Sequence, residues 1–436
     1  MISQRRLRLP AIGVAAVAAV AMMTGCSSGG SSSDSGTPGG HSDADLVVMS
    51  DFAPSDVRGP AFATALAGFT AKTGIKVKTV FAGSTEIFQA YETSVLAKQE
   101  PDVLIVNLYD KALTWTDSGA TLPVTDYVKQ WGLDKSINPA ALADWTDSQG
   151  RVQALPYTGF TWPVWYNTAT LAKAGITTIP KTTDDLIAAA AKLRAVGIAP
   201  VAIGGSDWSG EKFLEQIIQT TTKPDDTKSL MAKGGYCADP DAMKGIDNFV
   251  KMRDAGVFID DAQGLTADNM YASFLQGQAA IMPAGSWAFP QATADQIPNI
   301  TLGGFPLPAN STFDKPVAYQ GFTASGFWLT ANGSKRLADW KSFVDYMYQP
   351  DVAATFVASA GDVPVVQIPN LDTTLASQPL LASALTKTPD TVDYGVFPDF
   401  FVPGAKTAAL TNATASAFAP ETSSSAICAA LDSVYN

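Results

Sequence analysis

The chain has 436 residues, with 29 Lys and Arg against 41 Asp and Glu, one His and three Cys. At roughly 100–200 residues per domain that length suits two or three domains, and 46% hydrophobic against 16% charged residues exclude a disordered polymer. The formal charge of −12 argues against a nucleic-acid partner, which needs clustered Lys and Arg. The lone His41 lies in a Ser/Gly tract, which leaves no basis for a His-dependent triad or a His-rich metal centre. No metal and no cofactor is expected.

Arg5, Arg6 and Arg8 precede an apolar run from Ala11 to Met23. The run suits the apolar segment of a signal peptide and is shorter than the ~20 residues of a membrane span. Met23-Thr24-Gly25-Cys26 resembles the bacterial lipobox, which implies cleavage after residue 25 and a lipid on Cys26. Arg5-Arg6 leaves the export route open between the general secretory and twin-arginine systems. Residues 26–45 are rich in Ser, Gly and Asp and are expected to form a flexible tether reaching about 25 Å. An exported compartment permits a disulfide between Cys237 and Cys428; two buried thiols are the alternative.

Leu46–Ser50 reads as a buried first strand. Pro60 opens a helix with Phe62, Leu66 and Phe69 on one face, and Gly74 stops it. Residues 75–81 return to strand, a helix covers about 88–98, and Asp102–Asn107 is a continuous apolar run typical of a central parallel strand. This alternation predicts a doubly wound α/β lobe. A similar pattern follows. Thr182 to Asp185 form a capping box for a helix striped with Leu186, Ala189 and Leu193. Residues 200–204 and 279–283 read as strands. Leu337, Trp340, Phe343, Val344 and Met347 repeat at helical spacing, so Trp340 reads as core.

Several stretches together resemble one family. They are Phe69-Thr-Ala-Lys-Thr-Gly-Ile-Lys-Val77, Ala82-Gly-Ser-Thr-Glu-Ile-Phe88 followed by Pro101-Asp-Val103, Ala154-Leu-Pro-Tyr157 followed by Val164-Trp-Tyr-Asn167, Ala174-Gly-Ile176 with Pro180-Lys-Thr182, and Phe274 to Ala280 followed by Gly285-Ser-Trp287. In this order, behind a lipobox, they resemble the extracellular solute-binding lipoproteins of carbohydrate ABC transporters, the α-glucoside type most closely. The resemblance implies an α/β, two-lobed periplasmic-binding-protein-like fold of type II, with a ligand cleft between lobes joined by hinge crossovers. It implies lobe one at 46–156 plus 322–362 and lobe two at 157–321 plus 363–436. It further implies a monomer held at the extracellular face of the cell membrane, with a carbohydrate ligand and ABC permease subunits as partners.

A sugar presents hydroxyls at its rim and C–H patches on its faces, so its site needs aromatic platforms and fixed polar groups. Trp287, Trp208 and Trp162 are the candidate platforms. Trp165 and Tyr166 read as buried strand positions. Ligands of open α/β sheets bind beyond the carboxyl ends of strands. That rule selects Asp51, Glu86 or its neighbour Ser84, and Asn107 or Asp110 as polar contacts. Tyr319 and Gln320, before the second crossover, and Asp399 in Phe397-Pro-Asp-Phe400 complete the set. Two rival readings are a lipid-anchored glycoside hydrolase using paired carboxylates, which needs no His, and a binding protein for a non-sugar solute.

Overall fold

The computed structural model describes residues 44–83, 86–108 and 110–436. The leader, Cys26, residues 27–43 of the tether and Ser84 lie outside them. Among the described residues no helix is long and apolar enough to cross a membrane. The strands, in chain order, are β1 (Leu46–Ser50), β2 (Val77–Phe81), β3 (Val103–Val106), β4 (Leu155–Trp162), β5 (Val164–Asn167), β6 (Ala199–Val201), β7 (Ala279–Pro283), β8 (Ile300–Gly303), β9 (Val317–Leu329), β10 (Val363–Pro364) and β11 (Asp393–Tyr394). They form two sheets. The first runs β10-β4-β9-β3-β1-β2, with β11 paired to β9, and the second runs β6-β7-β5-β8. The mixed α/β, two-lobed architecture is the one the sequence predicts.

β1 lies parallel between β2 and β3. Every residue of β3 is buried, as its unbroken apolar run requires of a strand covered on both faces. Helix Gly59–Thr73 links β1 to β2 and buries Phe62, Ala65 and Phe69; it ends at Gly74, whose φ of 76° is the left-handed stop that glycine adopts without strain. Helix Glu86–Leu96 links β2 to β3 and starts two residues earlier than its apolar stripe suggests. Helix Leu337–Met347 buries Trp340, Phe343, Val344 and Met347, and Phe69 meets Phe343 edge to face at 5.3 Å.

Beside the second sheet, Thr182 and Asp185 form the expected reciprocal cap of helix Thr183–Ala195. Helix Trp208–Ile218 differs from an amphipathic surface helix: Ser209 to Ile218 are all buried, Glu211, Lys212 and Glu215 included. The C-terminal helix Thr407–Phe418 packs on it, and Ser424–Ser433 packs on Thr407–Phe418 and on helix Pro240–Asp254. Cys237 and Cys428 come together there, with Cα atoms 5.0 Å apart and sulfurs at bonding distance.

β4 and β9 pair antiparallel from Leu155↔Phe327 to Trp162↔Tyr319, with register shifts around Thr158. Such bulges bend a strand pair and increase its twist. The expected lobe boundaries at 156/157 and 321/322 fall inside these two strands.

Candidate functional site

A cleft of about 920 Å³ opens beyond the carboxyl ends of β1 and β3, lined on one side by the segment after β1 and on another by the start of helix Trp208–Ile218. Its volume is near the upper end of the ~300–1,000 Å³ usual for small-molecule sites.

Asp51 follows β1, and the chain then turns through Asp56 and Arg58 into helix Gly59–Thr73. The Arg58 guanidinium lies over the Phe52 ring, 4.2 Å from its centroid. It donates to Asp51 Oδ2 at 3.2 Å and to both Asp56 oxygens at 2.7 and 3.0 Å. Burial raises the Asp51 carboxyl above its usual range, with Arg58 opposing. Burial works the same way on Asp56, but there the hydrogen bonds from Arg58 win and hold the carboxyl low. Asp362 reaches this wall from the segment after helix Pro350–Ala360, and burial pushes it up to about 7. Asp51 Oδ1, Asn107 Oδ1 and Asp362 Oδ2 are buried without a hydrogen-bond partner. Such orphaned acceptors are costly unless a ligand or water meets them.

Three indoles form the aromatic side. Trp162 ends β4 and is buried, and it meets Trp287 at 5.1 Å and Trp208 at 5.5 Å, both edge to face. Trp208 and Trp287 are 5.9 Å apart. Trp208 remains 38% exposed, so it presents apolar surface to the cleft from a backed position. Trp287 folds over Gly285, where a Cβ would stand 2.2 Å from the indole, and its Nε1 donates to Tyr271 Oη at 3.0 Å. The Gly in Gly-Ser-Trp is therefore a space requirement. Asp207 fixes Trp208 by capping two helices at once: Oδ1 accepts from Ser209 N and Oδ2 from Ala267 N.

Beneath the aromatics lies a buried charge cluster. Lys212 Nζ is 2.7 Å from Glu211 Oε1 and 2.5 Å from Asp399 Oδ1, and Glu211 Oε2 accepts from Thr411 Oγ1. One turn on, Glu215 accepts from the Tyr236 hydroxyl at 2.8 Å, and burial pushes its carboxyl up to about 7. A carboxyl raised in the folded state binds its proton more tightly there than in the unfolded chain. Glu215 and Asp362 therefore make stability fall as pH rises from about 4 through 7. Melting at pH 5 is expected at higher temperature than at pH 7.5, and Glu215→Gln should shrink that difference. An equal slope in the variant would remove Glu215 as a source.

Of the residues selected from sequence, Asp51, Asn107, Trp162, Trp208, Trp287 and Asp399 line the cleft. Glu86 does not; it is exposed at the first position of its helix, where a carboxylate is favoured by the helix dipole. Tyr319 also does not line it. It is buried behind Trp162 and Phe397, donates to Lys212 O and accepts from Gln219 Nε2. Gln320 is the next residue on β9, pairs with Thr161 and is absent from the cleft lining. Asp110 opens the short turn Asp110–Thr114, with its side chain outside the described atoms, and Ser84 is outside the described residues. The sequence reading missed Asp56, Arg58, Asp207, Lys212, Asp268 and Asp362 among the charged residues, and Phe160, Tyr271 and Phe397 among the rings. Asp207 sits inside Gly-Ser-Asp-Trp-Ser and Phe397 beside Asp399, so both were within reach of the motif search.

The family profile described as bacterial extracellular solute-binding protein matches residues 53–354. The chain belongs to that family. A probable sugar-binding periplasmic protein of Mesorhizobium japonicum is 29% identical over 181 residues, which is 40% of this chain and 42% of that protein. The chain thus spans less than half the length of that curated relative. A crystal structure of a probable secreted solute-binding lipoprotein from Streptomyces coelicolor matches with a TM-score of 0.80 and 41% identity, covering 90% of this chain and 98% of the other. A chitin oligosaccharide binding protein shares the fold at a TM-score of 0.76 and 21% identity over 90% of this chain and 98% of its own.

Proposed function

We propose that this solute-binding protein captures a mono- or oligosaccharide in the cleft by hinge closure and delivers it, unchanged, to the permease of an ABC importer. The observation that carries the reading is the half-exposed Trp208, backed edge to face by Trp162 and Trp287, in a cleft also lined by acceptors without partners. A flat apolar platform beside fixed oxygens matches a sugar's C–H face and hydroxyl rim. Its similarity to the probable sugar-binding protein of Mesorhizobium and to the chitin oligosaccharide binding protein supports it. Membership in a family of binding proteins speaks against the hydrolase reading.

The two lobes take about 46–156 plus 322–362 and 157–321 plus 363–436, with β4 and β9 carrying the chain between them. A ligand that contacts both lobes only when they close shifts the population toward closure. The protein works as a monomer at the extracellular face of the membrane, held by a lipid on Cys26 through the Ser/Gly tether. Cys26→Ala is expected to release it into the medium; membrane retention of that variant would remove the anchor.

Calorimetry and tryptophan fluorescence on the soluble form starting after Cys26 test the reading against mono- and oligosaccharides. Binding without turnover is expected. Silence to every sugar, with binding of another solute class, would sink the assignment. Trp208→Ala is expected to weaken binding about 30-fold, since a central Trp contact is worth ~2 kcal/mol, with little change in melting temperature because the ring is half exposed.

A further inference from the structure

Resting on the saccharide reading above, we propose that the preferred ligand carries a basic nitrogen, an unacetylated amino sugar whose ammonium sits against the Asp362 wall. The cleft's charge balance points there. Among the described residues, Asp51, Asp56, Asp207, Asp268, Asp362 and Asp399 line it against Arg58 and Lys212. Both cations are already committed, Arg58 to Asp51 and Asp56 and Lys212 to Glu211 and Asp399. Asp207 is satisfied by helix N–H groups.

Asp362 is different. Its residue is 6% exposed, it lines the cleft, Oδ2 is orphaned, and no hydrogen bond or ion pair reaches it among the described residues. Asp51 Oδ1 and Asn107 Oδ1 add two more acceptors without donors. A hydroxyl brings one donor and lone pairs that need donors in turn, and the charged donors of this cleft are occupied. An ammonium brings three donors, no acceptor and the missing positive charge. The same imbalance disfavours uronates and sugar phosphates, whose charge would face uncompensated carboxylates. Acetylation of the nitrogen removes both the charge and two donors.

The groups that act electrostatically on Asp362 are Arg58, Asp56 and Asp51 from the segment after β1; it acts in turn on the Tyr157 hydroxyl of β4. Burial keeps Asp362 part-protonated near neutrality, and an adjacent ammonium favours its ionised form. Binding at pH 7 should therefore release a proton from this carboxyl.

The test is calorimetry on the soluble protein with saccharides of equal length and linkage: a glucosamine oligomer, its N-acetylated form, the plain glucose oligomer and a uronate oligomer. The glucosamine form is expected to bind at least ~10-fold more tightly than the glucose form, as a charge-assisted hydrogen bond exceeds a neutral one. Asp362→Asn, which keeps the shape and removes the charge, is expected to abolish that preference, bringing the affinities for the glucosamine and glucose oligomers together. A glucose oligomer that equals or beats the glucosamine form in the unmodified protein overturns the proposal and leaves the saccharide reading standing. Loss of all sugar binding in the unmodified protein overturns the saccharide reading itself. A preference that survives in Asp362→Asn overturns the assignment to this wall.

Discussion

Lys212→Met is expected to destabilise the protein by about 3–5 kcal/mol, the usual cost of leaving buried charge unpaired, and to lower the melting temperature by roughly 5 °C. Lys212 is buried on helix Trp208–Ile218, and burial alone would favour its neutral form. Asp399 and Glu211 outweigh that and hold it charged. Removing it strands Glu211, fully buried, and Asp399 together. The triple variant Glu211→Gln, Lys212→Met, Asp399→Asn removes all three charges and should recover much of the loss. A single variant that melts within 1 °C of the parent would show that the cluster is solvated in solution. The effect reaches the cleft, because Lys212 Nζ lies 6.0 Å over the Phe397 ring and Phe397 packs on Phe160, Trp162 and Tyr319. The single variant should therefore also weaken ligand binding, which the triple variant restores only as far as Phe397 returns to place.

Removing the Cys237–Cys428 link should cost a similar amount. The two residues are 191 apart in sequence. Closing so long a loop is worth about 5 kcal/mol in the loop-entropy account. Denaturant unfolding of the Cys237→Ser, Cys428→Ser variant is expected to show a lower midpoint with little change in slope. The native side of the region is well supported without the bridge, since Asp432 accepts from the N–H groups of Gly235, Tyr236 and Cys237. The loss should therefore fall on the unfolded ensemble, and the cleft should keep its affinity for ligand. A parent protein that shows two free thiols on denaturation without reductant would remove this prediction.

The elements readable from sequence are those with a local signal. The unbroken apolar run of β3, the stop at Gly74 and the cap at Thr182 are short-range physics, and each lies where it was expected. Trp165, Tyr166 and Trp340, assigned to the core from their strand or helix pattern, are fully buried. The strand-end rule found Asp51 and Asn107 because the rule concerns where the chain leaves a sheet, and the need for aromatic platforms found Trp162, Trp208 and Trp287. The rule failed at Glu86, where helix-terminal charge explains the residue better. Position before the second crossover misled at Tyr319, which supports the aromatic wall from behind. Arg58, Asp362 and Lys212 carry no local signal. Arg58 reads as an ordinary charge before a helix, and Lys212 as a surface residue of one. Packing of the Thr407–Phe418 helix over the Trp208 helix, with Asp399 and Phe397 against the side chain, converts Lys212 into a buried ion.

That packing has a consequence for biogenesis. Helix Trp208–Ile218 is covered by chain some 200 residues downstream, and Tyr435 donates to Met231 O on the neighbouring helix Pro224–Lys233. A polypeptide emerging from a ribosome or threading through an export pore can assemble the β1–β3 region early. It has to hold the Glu211–Lys212 stretch open until Thr411, 200 residues on from Glu211, is delivered. Contacts of such long sequence separation are slow to form. Loss of the Thr407–Phe418 helix would leave Glu211 and Lys212 without that cover.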